Sequence, residues 1–116
     1  MTEVLNEVAL AQLKELDGDD GESLLVSIFE LYIADAPEHL TKITKAIEDS
    51  NGNVLSEESH KLKSTSANIG AEKLTTICQT LETYGSNDQL SRATELLPEF
   101  QKALEEVLEA VQNYKH

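Results

Sequence analysis

A chain of 116 residues suits one domain around one modest core, and its formal net charge of −13 argues against the clustered cations that a nucleic-acid backbone or an anionic membrane surface requires. No apolar run approaches the length of a bilayer span, and the opening MTEVLNEVAL lacks a basic region followed by an apolar block, so neither a membrane segment nor a signal peptide is expected. The single cysteine, Cys78, cannot form an internal disulfide, which fits a reducing, cytoplasmic setting.

Every element reads as helix, because sustained period-two alternation is missing and β-branched clusters are few. Asn6 marks the first start: its side chain can cap free amides, and Leu5 can pack on Leu10 as a hydrophobic staple. Val8, Ala9 and Leu13 continue this short helix to the breaker DGDDG at Asp17 to Gly21. A second helix is predicted over 22–36, with Leu25, Ile28, Phe29, Tyr32 and Ile33 as its apolar stripe. Pro37 is expected to end it and to suit the first turn of a third. That third helix carries Leu40, Ile43 and Ile47 and stops at DSNGN. The fourth runs from Val54 to Asn68, with Gly70 as its stop signal. The fifth runs from Ala71 to Tyr84, with Leu74, Ile77, Cys78 and Leu81 on one face. The last is predicted over 89–114, where Leu90, Ala93, Leu97, Phe100, Leu104, Val107, Val111 and Tyr114 recur as a bundle seam requires. Pro98 inside it is expected to kink the helix or to split it near Leu96. Short connections favour antiparallel neighbours. The expected fold is therefore all-α: one domain over 1–116, with an antiparallel up-down four-helix bundle over 37–114 and short additional N-terminal helices over 6–36.

The charge is unevenly spread. Residues 1–41 hold ten acids and one lysine, and residues 74–116 hold seven acids and three bases. Residues 42–73 balance five acids against Lys42, Lys45, Lys61, Lys63 and Lys73. His60 sits in that neutral window. At 100° per residue, Leu55, Leu62 and Ile69 lie about 180–220° from it, and Ser59 and Ser66 about 240–260°, on the core side. Lys63, Ala67, Ser64 and Glu57 lie within about 60° of it. The imidazole thus faces outward among small residues and one cation. An exposed imidazole titrates near ~6.5, so much of it is neutral and nucleophilic at neutral pH. Such a nitrogen can attack phosphorus, and a lysine one turn on can offset the charge of the added group. The bland alternative is an ordinary surface histidine. His39, early in a helix without such surroundings, and the terminal His116 are assigned no role.

The stretch SHKLKSTSANIGAEKLTTICQTLE, Ser59 to Glu82, resembles the histidine phosphotransfer (HPt) domain family. That family's motif has His, any residue, Leu, Lys, Gly, a small residue and Ser, with Gly-Ala about ten residues past the His. A second helix follows, often with a Cys and a closing Leu-Glu. His60, Leu62, Lys63, Ser66, Gly70, Ala71, Leu74, Cys78, Leu81 and Glu82 match, and ALAQLKEL, FELYIADAPEHL and LLPEF share the family's look. The resemblance implies that His60 is the phosphoacceptor and that Lys63 supports the phosphoryl group. It implies that Glu82 orients the second ring nitrogen, with Gln79 as the runner-up. Ser64 replaces the family's usual Gly; activity is expected to be retained, with docking geometry or partner choice open to change.

The resemblance further implies a phosphoryl carrier rather than an enzyme. The partners would be receiver domains of a hybrid sensor kinase or a response regulator, which dock on Ser64, Ala67, Asn68 and neighbouring helices. They supply Mg²⁺ and most of the catalytic groups. No cofactor or metal is expected on this chain, and it is expected to act as a monomer. Met1 and a complete bundle favour a free-standing protein. The rival reading is a non-phosphorylated helical adaptor or dimerisation module that shares the scaffold. A metal- or thiol-dependent enzyme is a weaker third, since three scattered histidines and one cysteine at a core position make no recognisable site.

Overall fold

The computed structural model describes residues 4–16 and 21–115, so most of the breaker at Asp17 to Gly21, and His116, lie outside the described residues. Among the described residues there are five helices: α1 (Glu7–Leu16), α2 (Gly21–Glu48), α3 (Gly52–Asn68), α4 (Glu72–Ser86) and α5 (Leu90–Lys115). No strand occurs among the described residues. Three residues each join α2 to α3, α3 to α4 and α4 to α5, which forces successive helices to run antiparallel. The four pack in a ring, each on the next and α5 back on α2, while α1 rests on α2. The most extensive packing is between α3 and α4. Phe29, Ile43, Leu55, Leu74, Leu81 and Phe100 are among the fully buried residues at the centre.

The expected division at Pro37 does not occur: α2 continues through it as one helix. Proline in a helix interior costs about 3 kcal/mol or more through a lost hydrogen bond and a ring clash. Against this stands a core stripe that stays in phase on both sides. Phe29, Tyr32, Ala36, Ile43, Ala46 and Ile47 are all buried, and each large apolar side chain contributes about 1.5–3 kcal/mol on burial. Pro37 itself is exposed, so water can take up the hydrogen bond that its missing N–H leaves unmade. The boundary expected near residue 37 therefore falls inside an element, and among the described residues α1 is the one additional N-terminal helix. Pro98 likewise lies exposed within α5, which does not split near Leu96.

Asn6 caps α1 as expected: its Oδ1 accepts from the Val8 and Ala9 amides at 2.8 and 3.3 Å. Its own amide donates to the Gly70 carbonyl at 2.8 Å, and its Nδ2 donates to Glu72 Oε1 at 2.7 Å. This one residue ties α1 to the turn between α3 and α4. Gly70 has φ +74°, and a Cβ there would lie 2.8 Å from the Asn6 amide nitrogen. Both the turn and the close approach thus require glycine. In the core, the Tyr32 and Ser66 hydroxyls hydrogen-bond at 2.9 Å, which satisfies two buried polar groups and links α2 to α3.

Candidate functional site

α3 begins at a side-chain cap, the Val54 amide donating to Asn51 Oδ1 at 3.2 Å, and then keeps regular helical phase through the site. The predicted faces are the observed ones. Leu55, Leu62, Ile69, Ser59 and Ser66 are fully buried, whereas the His60 side chain is 59% exposed. Ser64, Ala67 and Asn68 share the exposed side.

α4 supplies the second half. His60 Nδ1 lies 3.1 Å from Glu82 Oε2, and Lys63 Nζ donates to Glu82 Oε1 at 2.6 Å. Lys63 Nζ also donates to Gln79 Oε1 at 3.0 Å. Glu82, not Gln79, is thus the partner of the ring, and Gln79 holds Lys63 instead. The hydrogen bond from Lys63 keeps the Glu82 carboxyl below its ordinary value; partial burial opposes this, and the charges of Lys63 and His60 reinforce it. An ionised carboxylate only accepts. The shared hydrogen therefore belongs to Nδ1 of His60, and in the neutral ring the lone pair belongs to Nε2. Lys63 and Glu82 are only 22% and 21% exposed, so their pairing is better shielded than that of an ordinary surface ion pair.

Ser64 answers the question raised by its replacement of glycine. Its hydroxyl donates to the His60 carbonyl one turn back at 3.2 Å, so the added oxygen lies along the helix rather than across the ring. Cys78 is a core residue, its thiol pushed up to about 12 by burial with a partial opposing effect of Lys63. A thiol so held stays protonated and unreactive.

The carboxylate makes the site's contribution to stability pH-dependent. The folded pKa of Glu82 lies below its unfolded value of 4.5, so its stabilisation is present above that value and is lost as pH falls through the folded pKa. Wild type should therefore unfold at a higher temperature than Glu82→Gln at pH 7, and the gap should close on acidification below 4.5. Paired thermal melts across that range provide the check.

Two features were not anticipated. Leu31 is 64% exposed and borders a groove of about 220 Å³ between α2 and α3, lined also by Ile28, Tyr32, Asp35, Thr65 and Asn68. The available signal was an apolar residue set away from the core side of its helix. His39, assigned no role above, pairs through Nδ1 with Glu58 Oε1 at 3.0 Å. That pairing could not be read from sequence, because the two residues meet only across the α2–α3 packing.

No helix among the described residues is long and apolar enough to cross a membrane. Comparison with solved structures finds the fold of histidine-containing phosphotransfer protein B from Pseudomonas aeruginosa PAO1, with a TM-score of 0.88, 23% identity, and coverage of 99% of this chain and 96% of that one. Among curated proteins, the chain is 32% identical over 102 residues to phosphorelay intermediate protein rdeA of Dictyostelium discoideum, covering 85% of this chain and 39% of that protein. It is 35% identical over 75 residues to multistep phosphorelay regulator 1 of Schizosaccharomyces pombe, covering 65% of this chain and 25% of that protein. The aligned region thus spans well under half the length of either relative. The model of the Hpt domain matches residues 27–114, most of the sequence, and the chain belongs to the Hpt domain family.

Proposed function

We propose that this chain is a phosphoryl carrier of a multistep phosphorelay. His60 receives the group from a phosphorylated aspartate of one receiver domain and passes it to the aspartate of another. The observation that carries this reading is an exposed His60 whose Nδ1 is engaged by an ionised Glu82. The Nε2 lone pair attacks phosphorus, the P–O bond to the aspartyl carboxyl breaks, and the carboxylate leaves. The imidazolium so formed keeps its proton on Nδ1 against Glu82, which balances the new positive charge. The reverse step restores the neutral ring. Membership in the Hpt domain family and resemblance to two proteins named for phosphorelay roles support the same reading.

Lys63 holds three donors on one ammonium, of which Glu82 and Gln79 take two. The remaining donor, or one released from Gln79, is free to meet a phosphoryl oxygen. The carboxylate that contacts His60 is Glu82, already committed to the ring and to Lys63, and this is a poor donor for a cation that prefers an octahedron of oxygens. Mg²⁺ chemistry therefore belongs to the receiver. Docking uses Ser64, Ala67 and Asn68, and it extends over Asn68 into the groove beside Leu31 and Ile28. The chain acts as a monomer toward its receivers, in the reducing cytoplasm that a lone cysteine suits.

The test is transfer of labelled phosphate from receiver domains to this protein. The label should be acid-labile and alkali-stable, as on histidine. A folded protein that accepts none from a broad panel of receivers is a helical adaptor instead. Glu82→Gln should slow acceptance, because the amide can still take the Nδ1 hydrogen but carries no charge to balance the imidazolium. Partners that orient metal-ligating imidazoles from behind contribute about 10–100-fold, and a loss of that order is expected here. Glu82→Ala, which loses both roles, should be slower still in the same assay.

A further inference from the structure

His39 on α2 repeats the arrangement built around His60 on α3. In each case a lysine follows three residues on, Lys42 after His39 and Lys63 after His60. Each ring presents Nδ1 to a glutamate of the next helix, Glu58 Oε1 at 3.0 Å and Glu82 Oε2 at 3.1 Å. Each lysine also approaches the same carboxylate, Lys42 Nζ at 4.0 Å from Glu58 Oε1 and Lys63 Nζ at 2.6 Å from Glu82 Oε1. Glu58 accepts in addition from Lys61 Nζ at 3.2 Å.

A carboxylate that is 7% exposed is costly to keep charged unless cations surround it. Burial works against ionisation of Glu58, but the hydrogen bonds from His39 and Lys61 outweigh it and hold the carboxyl below its ordinary value. Glu58 therefore only accepts, the hydrogen lies on His39 Nδ1, and Nε2 carries the lone pair. The ring keeps 17% of its surface exposed, and Lys42 beside it is 59% exposed.

We propose that His39 is a second phosphoacceptor, modified at Nε2 more slowly than His60 and by small phosphoryl donors that its narrower opening admits. The inference rests on the chemistry read for His60. With phosphoramidate as donor, Nε2 attacks phosphorus, the P–N bond breaks and ammonia leaves. The positive imidazolium is held by Glu58 through Nδ1, and Lys42 faces the phosphoryl oxygens.

The experiment treats wild type, His60→Gln, His39→Gln and the double variant with phosphoramidate, then maps phosphohistidine by mass spectrometry under alkaline conditions. The expected result is phosphate on the His39 peptide of His60→Gln, faster than on the terminal His116, and none there in the double variant. Lys42→Ala should slow labelling of His39 severalfold while leaving that of His60, and the melting temperature, unchanged. Labelling of His60 in His39→Gln without labelling of His39 in His60→Gln overturns the inference and leaves the carrier function intact. So does a His39 rate equal to that of His116, or one indifferent to Lys42→Ala. Absence of label on both histidines also overturns it, while the carrier function is judged separately by transfer from receivers.

Discussion

His60→Gln should reduce phosphoryl transfer from any receiver to background, a loss on the order of a thousandfold or more, because the nucleophile of a covalent step has no substitute. The neighbours offer none. The Lys63 ammonium donates to Glu82 and Gln79, the Ser64 hydroxyl donates to its own helix, and the Cys78 thiol is buried and protonated. Stability should barely change. The ring is 59% exposed and contributes one partly solvated pairing, a class worth about 0–1 kcal/mol. Glutamine can still hydrogen-bond Glu82. Receiver-dependent labelling measured beside a thermal melt separates the two effects. Labelling at the wild-type rate in a folded His60→Gln protein would remove the site from His60.

Most of this site was legible because it is built on regular helical phase. Once His60 is set on a helix, Leu55, Leu62 and Ile69 must point away from it, and they do. The HPt-like spacing brought in Lys63 and Glu82. Sequence did not decide whether Glu82 or Gln79 reaches the ring, since the two lie one turn apart on α4. That depends on how far α4 slides along α3. The helix at Pro37 was misread because a local cost of about 3 kcal/mol was weighed without the tertiary burial that exceeds it. The pairing of His39 was not legible because its partner Glu58 lies nineteen positions along the chain, in the next helix. Local pattern exposes the face of a residue; only packing supplies what that face meets.

The packing that sets the register of α3 against α4 makes Gly85 the position where a single methyl group should do most harm. A Cβ there would lie 2.6 Å from the Gly52 carbonyl oxygen and 2.7 Å from the Ser56 amide nitrogen. From the other side, a Cβ on Gly52 would lie 2.5 Å from the Gly85 oxygen. Both obstacles are backbone of the first turns of α3, so no side chain can rotate aside. Alanine is the better helix former by about 0.8–1 kcal/mol, but overpacking against a rigid neighbour costs about 1–3 kcal/mol. The clash should win because relief requires the helices to separate along their most extensive contact. Gly85→Ala should therefore lower stability by up to about 2 kcal/mol, or up to roughly 8 °C in melting temperature for a domain of this size. Glu82 lies one turn before Gly85 on α4, so the same separation should lengthen its 3.1 Å contact to His60 and slow transfer as well. Ser86→Ala is the control. It removes a hydroxyl that pairs with Ser56 at 2.9 Å on the exposed side and should stay within about 0.5 kcal/mol of wild type. A Gly85→Ala protein as stable as wild type would mean that α3 and α4 can part without cost, and the geometry that joins Glu82 to His60 would then need another support.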